Sequence, residues 1–151
     1  MALKQNTQAP DFTLSSTSGS NFTLSNINEP VVIYFYPKDF TPGCTKEACS
    51  FRDNFAFFKD LNIKVLGISM DPLAQHQKFK KEHQLPFDLL ADVTGKVCKD
   101  YQALMPFIKV PKRITYLIDQ NRNIRGVFDS LFGATAHIKN MIKTVNSELQ
   151  K

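Results

Sequence analysis

The sequence predicts an α/β fold with a mixed central sheet, an N-terminal β-hairpin and flanking helices. Three observations carry this. Residues 31–36, Val-Val-Ile-Tyr-Phe-Tyr, are a continuous apolar run, the mark of a strand buried on both faces. Beyond that run, strand-like and helix-like patterns alternate, which calls for parallel strands joined by crossover helices. Two further strand patterns, 114–119 and 124–128, flank Gln120-Asn121-Arg122-Asn123 and add an antiparallel hairpin near the end.

Taken in order, Phe12-Thr13-Leu14 and Phe22-Thr23-Leu24 alternate around 15–21, a stretch rich in Ser, Thr and Gly, and read as the first hairpin. After the 31–36 strand a helix starts at Thr41, a good N-cap, with Pro42 suited to the first helical position. Ala48, Phe51, Phe55 and Phe58 recur at helical spacing and mark its buried stripe. Residues 63–70 form the next strand. Asp71-Pro72 repeats the cap-then-proline signal and leads a helix to about Gln84. A short strand at 87–91, a helix at 95–104, the late hairpin and a last amphipathic helix carrying Ile138, Met141, Ile142, Val145 and Leu149 complete the chain. Hairpin, β-α-β-α-β-α, then β-β-α is the general plan of a thioredoxin-like fold. The 151 residues fit one domain, 1–151, with no internal repeat or splitting linker.

Bulk properties narrow the function classes. The chain is 42% hydrophobic and 22% charged, ordinary for a globular protein. No apolar run approaches the ~20 residues of a membrane span, and the first eight residues hold no signal-peptide core, so the expected location is cytoplasmic, with no membrane partner. The net charge is +5, but basic residues never run longer than two and acids interleave with them. That describes a solvated surface, with no clustered basic face for nucleic acid. Cys44, Cys49 and Cys98 are an odd set, which argues against a disulfide scaffold. In a reducing compartment a close cysteine pair points to catalysis, redox sensing or metal binding.

The pair Cys44 and Cys49 is the most informative feature. With Thr41 as N-cap, Cys44 is the third helical residue, in a first turn where unpaired N–H groups and the helix dipole favour thiolate over thiol. Residues five apart on a regular helix have Cα atoms about 8.6 Å apart. A disulfide needs about 7 Å or less. The pair therefore predicts two states, a folded helix with free thiols and a locally unwound segment with a disulfide. Gly43 eases the unwinding. A two-step reaction fits: a substrate oxidises Cys44 to a sulfenic acid, Cys49 condenses with it, and an external reductant restores the dithiol.

At this point the residues carry a family resemblance. Pro37, Thr41 and Cys44 match the Pro-x-x-x-Thr-x-x-Cys pattern of the peroxiredoxins. The longer run from Phe35 to Cys49 resembles the bacterioferritin-comigratory, or peroxiredoxin Q, branch, in which a resolving cysteine follows five residues after the peroxidatic one. Ala9-Pro10-Asp11-Phe12, Leu85-Pro86-Phe87 and 113–119 extend the likeness over nearly the whole chain. The resemblance implies a peroxidase acting on hydrogen peroxide and organic hydroperoxides, with thioredoxin or a similar dithiol as reductant and no metal, haem or flavin cofactor. It implies Cys44 as nucleophile, Cys49 as resolving thiol, Arg113 as the cation beside the thiolate, Thr41 as the hydroxyl that positions the peroxide, and Pro37 as a shield against water. It also implies a monomer.

Two positions depart from that branch. Residues 101–110 are short and lack the glycines and tryptophan frequent before the arginine. Phe40 stands where a small polar or acidic residue is more usual, adding apolar surface near the mouth and favouring organic hydroperoxides. Cys98 reads as a small, partly buried residue. His76, His83 and His137 are scattered, and Cys-x4-Cys without a second pair is a weak zinc signal. Two other functions use the same pair: a disulfide oxidoreductase and a redox sensor that signals through its disulfide. The former is disfavoured because Cys-x4-Cys needs unwinding, and because thioredoxins place a proline immediately before the strand facing the site, where this chain has Ile114 and Pro111 comes too early.

Overall fold

A computed structural model of the chain describes residues 2–129 and 134–148. Its strands are β1 (Thr13–Ser16), β2 (Asn21–Thr23), β3 (Val31–Phe35), β4 (Lys64–Ser69), β5 (Asp88–Ala91), β6 (Ile114–Ile118) and β7 (Ile124–Asp129). Its helices are α1 (Pro42–Asp53), α2 (Phe55–Asp60), α3 (Leu73–His83), α4 (Lys96–Asp100) and α5 (Ala134–Glu148). The strands form one mixed sheet in the order β2-β1-β5-β4-β3-β6-β7, a thioredoxin-like arrangement.

β3 lies inside the sheet, parallel to β4 and antiparallel to β6, with Phe35 opposite both Ile68 and Ile114. All five of its residues are buried. The two-residue period divides them between two cores. Val31, Ile33 and Phe35 join Leu66, Ile68 and Tyr116, together with Val97 and Cys98 of α4. Val32 and Tyr34 join Ala48 and Phe51 of α1, Phe58 of α2, Phe79 of α3 and Met141 of α5. Helices therefore cover both faces, and six residues separate β3 from α1, which starts near the carboxyl end of that strand.

Several boundaries differ from the sequence expectation, each for a local reason. The stripe through Ala48, Phe51, Phe55 and Phe58 is carried by two helices. Asn54 interrupts it at φ −108°, ψ 11°, and its side-chain amide donates 2.8 Å to the Ser50 carbonyl, in competition with the helical ladder. Asp71 does not cap α3. Its carboxylate accepts the Asp39 N–H at 2.7 Å, and the helix starts at Leu73, with the Pro72 carbonyl taking the N–H groups of Gln75 and His76. The helix expected at 95–104 is only α4, because Gln102 turns left-handed at φ 53° and Ala103 returns its N–H to Cys98. The short strand starts at Asp88, and Phe87 packs in the core beside it. Leu149, expected on the last helix, lies outside the described residues.

Candidate active site

Sheet pairing assembles the site. Thr41 sits at the N-cap position (φ −87°, ψ 150°), Pro42 is the first helical residue, and the Thr45 N–H closes the first helical bond on the Thr41 carbonyl at 2.9 Å. Cys44 is therefore the third residue of α1, and it is 1% exposed. Arg113 stands one residue before β6. Because β6 runs antiparallel to β3, with Ile114 opposite Phe35, Arg113 arrives at the same end of the sheet as α1. Its Nη2 donates to Cys44 Sγ at 3.2 Å, and its Nη1 donates to Glu47 Oε1 at 2.8 Å.

Glu47 lies almost one helical turn after Cys44 and is fully buried. Burial pushes its carboxyl up from the ordinary 4.5 to about 7, against the pull of the Arg113 charge. Burial also opposes the charge on Arg113, but Glu47 and Cys44 more than compensate and hold its pKa above the usual value. The guanidinium is thus fixed at two points, a permanent cation forked between a sulfur and a carboxyl group. Gly43 makes room for it: a Cβ there would lie 3.1 Å from Arg113 Nη2.

Thr41, expected both to cap the helix and to position substrate, makes no side-chain capping bond. Its hydroxyl donates instead to the Lys38 carbonyl at 2.9 Å, so its proton is committed and its oxygen is left as an acceptor. Pro37 is half-buried directly after Tyr36, at the start of the loop that leads to Thr41.

Cys49 lies on the same uninterrupted helix as Cys44 but faces α3. Its Sγ is 3.9 Å from His83 Nδ1. All three cysteines are free thiols. The two sulfurs of the pair thus have separate neighbours, Arg113 for one and His83 for the other.

Comparisons with known proteins supply the family. The AhpC/TSA family model matches residues 6–127. The chain belongs to that family. Within it, a chloroplastic peroxiredoxin Q of Suaeda salsa is 41% identical over 147 residues, covering 96% of this chain and 69% of the relative. One from Oryza sativa subsp. japonica is 43% identical over 141 residues, covering 92% and 65%. The chain spans about two thirds of the length of these plant relatives. Among solved structures, the peroxidoxin BcpB of Mycobacterium tuberculosis superposes with a TM-score of 0.89 at 34% identity, covering 96% of this chain and 97% of that one. The bacterioferritin comigratory protein of Xanthomonas campestris, studied for its alkyl peroxide reduction activity, superposes at 0.84 with 25% identity, covering 90% of each chain. This peroxiredoxin is accordingly of the bacterioferritin-comigratory, or peroxiredoxin Q, branch.

In this peroxiredoxin the loop between β3 and α1 is tied down by a buried network that the sequence analysis missed. His76 Nδ1 donates to Asp39 Oδ2 at 2.6 Å, and the Tyr36 hydroxyl donates to Asp39 Oδ1 at 2.6 Å. On the far side of the ring, Ser69 Oγ lies 3.4 Å from His76 Nε2. Ligand atoms of Asp39, Asp71 and His76 lie within 4.8 Å of one another, and hydrogen bonds inside the cluster occupy them. Only the cap-like Asp71 hinted at this cluster. Glu47 did carry a local signal, since a residue three after Cys44 shares its helix face. His83 carried none, being 34 residues from its partner.

Phe40 adopts φ 64° and rests its ring edge-on against Phe79, 5.1 Å between centroids, with 46% of the residue exposed. Cys98 is buried, and burial together with the nearby Asp92 pushes its thiol well up, which favours the protonated form. Among the described residues no helix is long and apolar enough to cross a membrane.

Proposed function

We propose that this chain is a thiol peroxidase that reduces hydrogen peroxide and alkyl hydroperoxides through a two-cysteine cycle. The observation that carries this reading is the 3.2 Å hydrogen bond from Arg113 Nη2 to Cys44 Sγ, on a guanidinium that Glu47 holds in place. It sets positive charge where negative charge moves during the reaction. The Cys44 thiolate attacks the hydroxyl-bearing oxygen of the peroxide. The S–O bond forms as the O–O bond breaks, sulfur is oxidised to sulfenic acid, and the departing alkoxide or hydroxide takes up a proton. Arg113 stabilises the charge as it passes from sulfur to oxygen. Thr41, with its own proton engaged by Lys38, accepts a hydrogen bond from the peroxide O–H. Pro37 shields the pocket.

Cys49 then attacks the Cys44 sulfenic acid, and water leaves. Both thiols sit on one regular helix, so α1 must unwind locally for the disulfide to close. A thioredoxin-type dithiol restores the free thiols by exchange. The cycle therefore belongs to a compartment that supplies reduced dithiols, and we retain the cytoplasm and a monomeric state as parts of this proposal. The peroxiredoxin Q relatives and the alkyl peroxide activity named for the Xanthomonas protein support the reading.

Steady-state peroxide turnover with a thioredoxin system tests it. Cys44→Ser is expected to abolish activity, and Cys49→Ser to perform a single stoichiometric round. Turnover that survives Cys44→Ser removes the assignment and favours dithiol exchange. Slow, stoichiometric oxidation of the wild type with tight binding of the oxidised form to another protein favours a sensor.

A further inference from the structure

We infer that His83 is the general base for the resolving step, taking the proton from Cys49 so that it attacks as a thiolate. This rests on the two-cysteine cycle proposed above.

The geometry is specific to the last residue of α3. His83 Nδ1 faces Cys49 Sγ at 3.9 Å, within hydrogen-bond reach for sulfur. The ring is held rather than free. It packs against Phe79 with centroids 4.9 Å apart and lies 6.5 Å from the ring of Phe40. The main chain is held too, because Arg52 Nη1, one turn along α1 from Cys49, donates to the His83 carbonyl at 2.8 Å. Helix α1 thus grips His83 at two points, the ring by Cys49 and the carbonyl by Arg52. On the far side, His83 Nε2 faces Glu82 Oε2 at 3.9 Å. That carboxylate favours a proton on Nε2, which leaves Nδ1 as the acceptor toward sulfur. Among the described residues, the titratable groups that meet the ring are Cys49 from α1 and Glu82 from α3, with the charged Arg52 of α1 at the His83 carbonyl. Among the described residues, the loop places Phe40 by the ring.

The step balances. The Cys49 S–H proton passes to His83 Nδ1. The thiolate attacks Cys44 Sγ, an S–S bond forms as the S–OH bond breaks, and the proton returns through solvent to the departing hydroxide, which leaves as water. Ionisation of Cys49 precedes unwinding, because the imidazole stays with α3 while the α1 segment moves. His83 therefore sets the rate of resolution without touching the peroxide step.

The test is a rapid-mixing experiment on the reduced chain with one equivalent of hydrogen peroxide. Sulfenic acid is trapped with a dimedone-type reagent, and the Cys44–Cys49 disulfide is followed by mass spectrometry. His83→Asn keeps a polar atom near the Nδ1 position but cannot take a proton. It should form sulfenic acid at the wild-type rate and close the disulfide at least tenfold more slowly, with the pH dependence of closure flattened. In His83→Ala, added imidazole should restore the closure rate, an effect that a packing role would not produce. Wild-type closure rates and pH profile in His83→Asn, or no response of His83→Ala to imidazole, would overturn the assignment while leaving the cycle intact. Failure of the wild type itself to form the Cys44–Cys49 disulfide would instead remove the two-cysteine reading.

Discussion

Asp39 and His76 meet at 2.6 Å with both side chains wholly buried, and this contact pins the active-site loop to α3. The loop carries Asp39 two residues before Thr41, so the pin sets where α1 begins. Asp39→Ala would remove the acceptor shared by the buried imidazole and the Tyr36 hydroxyl, leaving these two only their 3.3 Å contact with each other and Ser69 on the far side of the ring. A loss of about 3 kcal/mol is expected, from the cost of breaking two short buried hydrogen bonds to one carboxylate. Urea denaturation measures it, and Asp39→Asn, which keeps an acceptor, should lose less. Equal losses in the two variants would mean that the pin does not act through hydrogen bonding.

Gly43 separates activity from stability. An added Cβ would sit 3.1 Å from Arg113 Nη2, so the guanidinium must shift by a few tenths of an ångström. Gly43→Ala should lower the rate of sulfenic acid formation by about tenfold, given how steeply rates fall with misplacement. Thermal stability should hold or rise, because alanine suits a helix better than glycine. A wild-type peroxide rate in this variant would show that the arginine does not need its observed position.

Glu47 links folding to pH. Its folded pKa of about 7 lies above the ordinary 4.5, so between those values the folded chain holds a proton that the unfolded chain releases. The contribution of this group to stability is therefore greatest below about 4.5 and falls as pH rises through about 7. Glu47→Gln should flatten that part of a stability-versus-pH curve. An unchanged slope would assign the dependence to other groups.

Tyr34 stacks on Phe51, with centroids 4.5 Å apart and an 18° tilt, yet its buried hydroxyl has no hydrogen-bond partner among the described residues. Tyr34→Phe keeps the stack and removes the stranded hydroxyl. It should raise stability by about 1 kcal/mol. Calorimetry giving a lower melting temperature would show that the hydroxyl is satisfied in solution.

What was legible in the sequence was local. The all-apolar β3, the Thr41-Pro42 start of α1 and the place of Cys44 in its first turn follow from capping and periodicity within a dozen residues. Arg113 is 69 residues from Cys44 and became visible only through the family pattern, since an ion pair across a sheet leaves no periodic trace. The Asn54 break was invisible for the opposite reason: Phe55 and Phe58 continue the apolar period of Ala48 and Phe51, and only the side-chain bond to Ser50 reveals the interruption. Strand order was beyond the sequence as well. Nothing in 114–118 says that it pairs with β3, yet that pairing delivers the arginine.

The antiparallel placement of β6 against β3 has a consequence during biosynthesis. Cys44 is translated early, but Arg113, its hydrogen-bond partner, lies 69 residues later, just before a strand whose docking is a long-range event. A nascent or partly folded chain holds Cys44 without Arg113. In the proposed cycle, chemical competence therefore arrives only with completion of the tertiary fold, and an immature chain meets peroxide with this pair still apart.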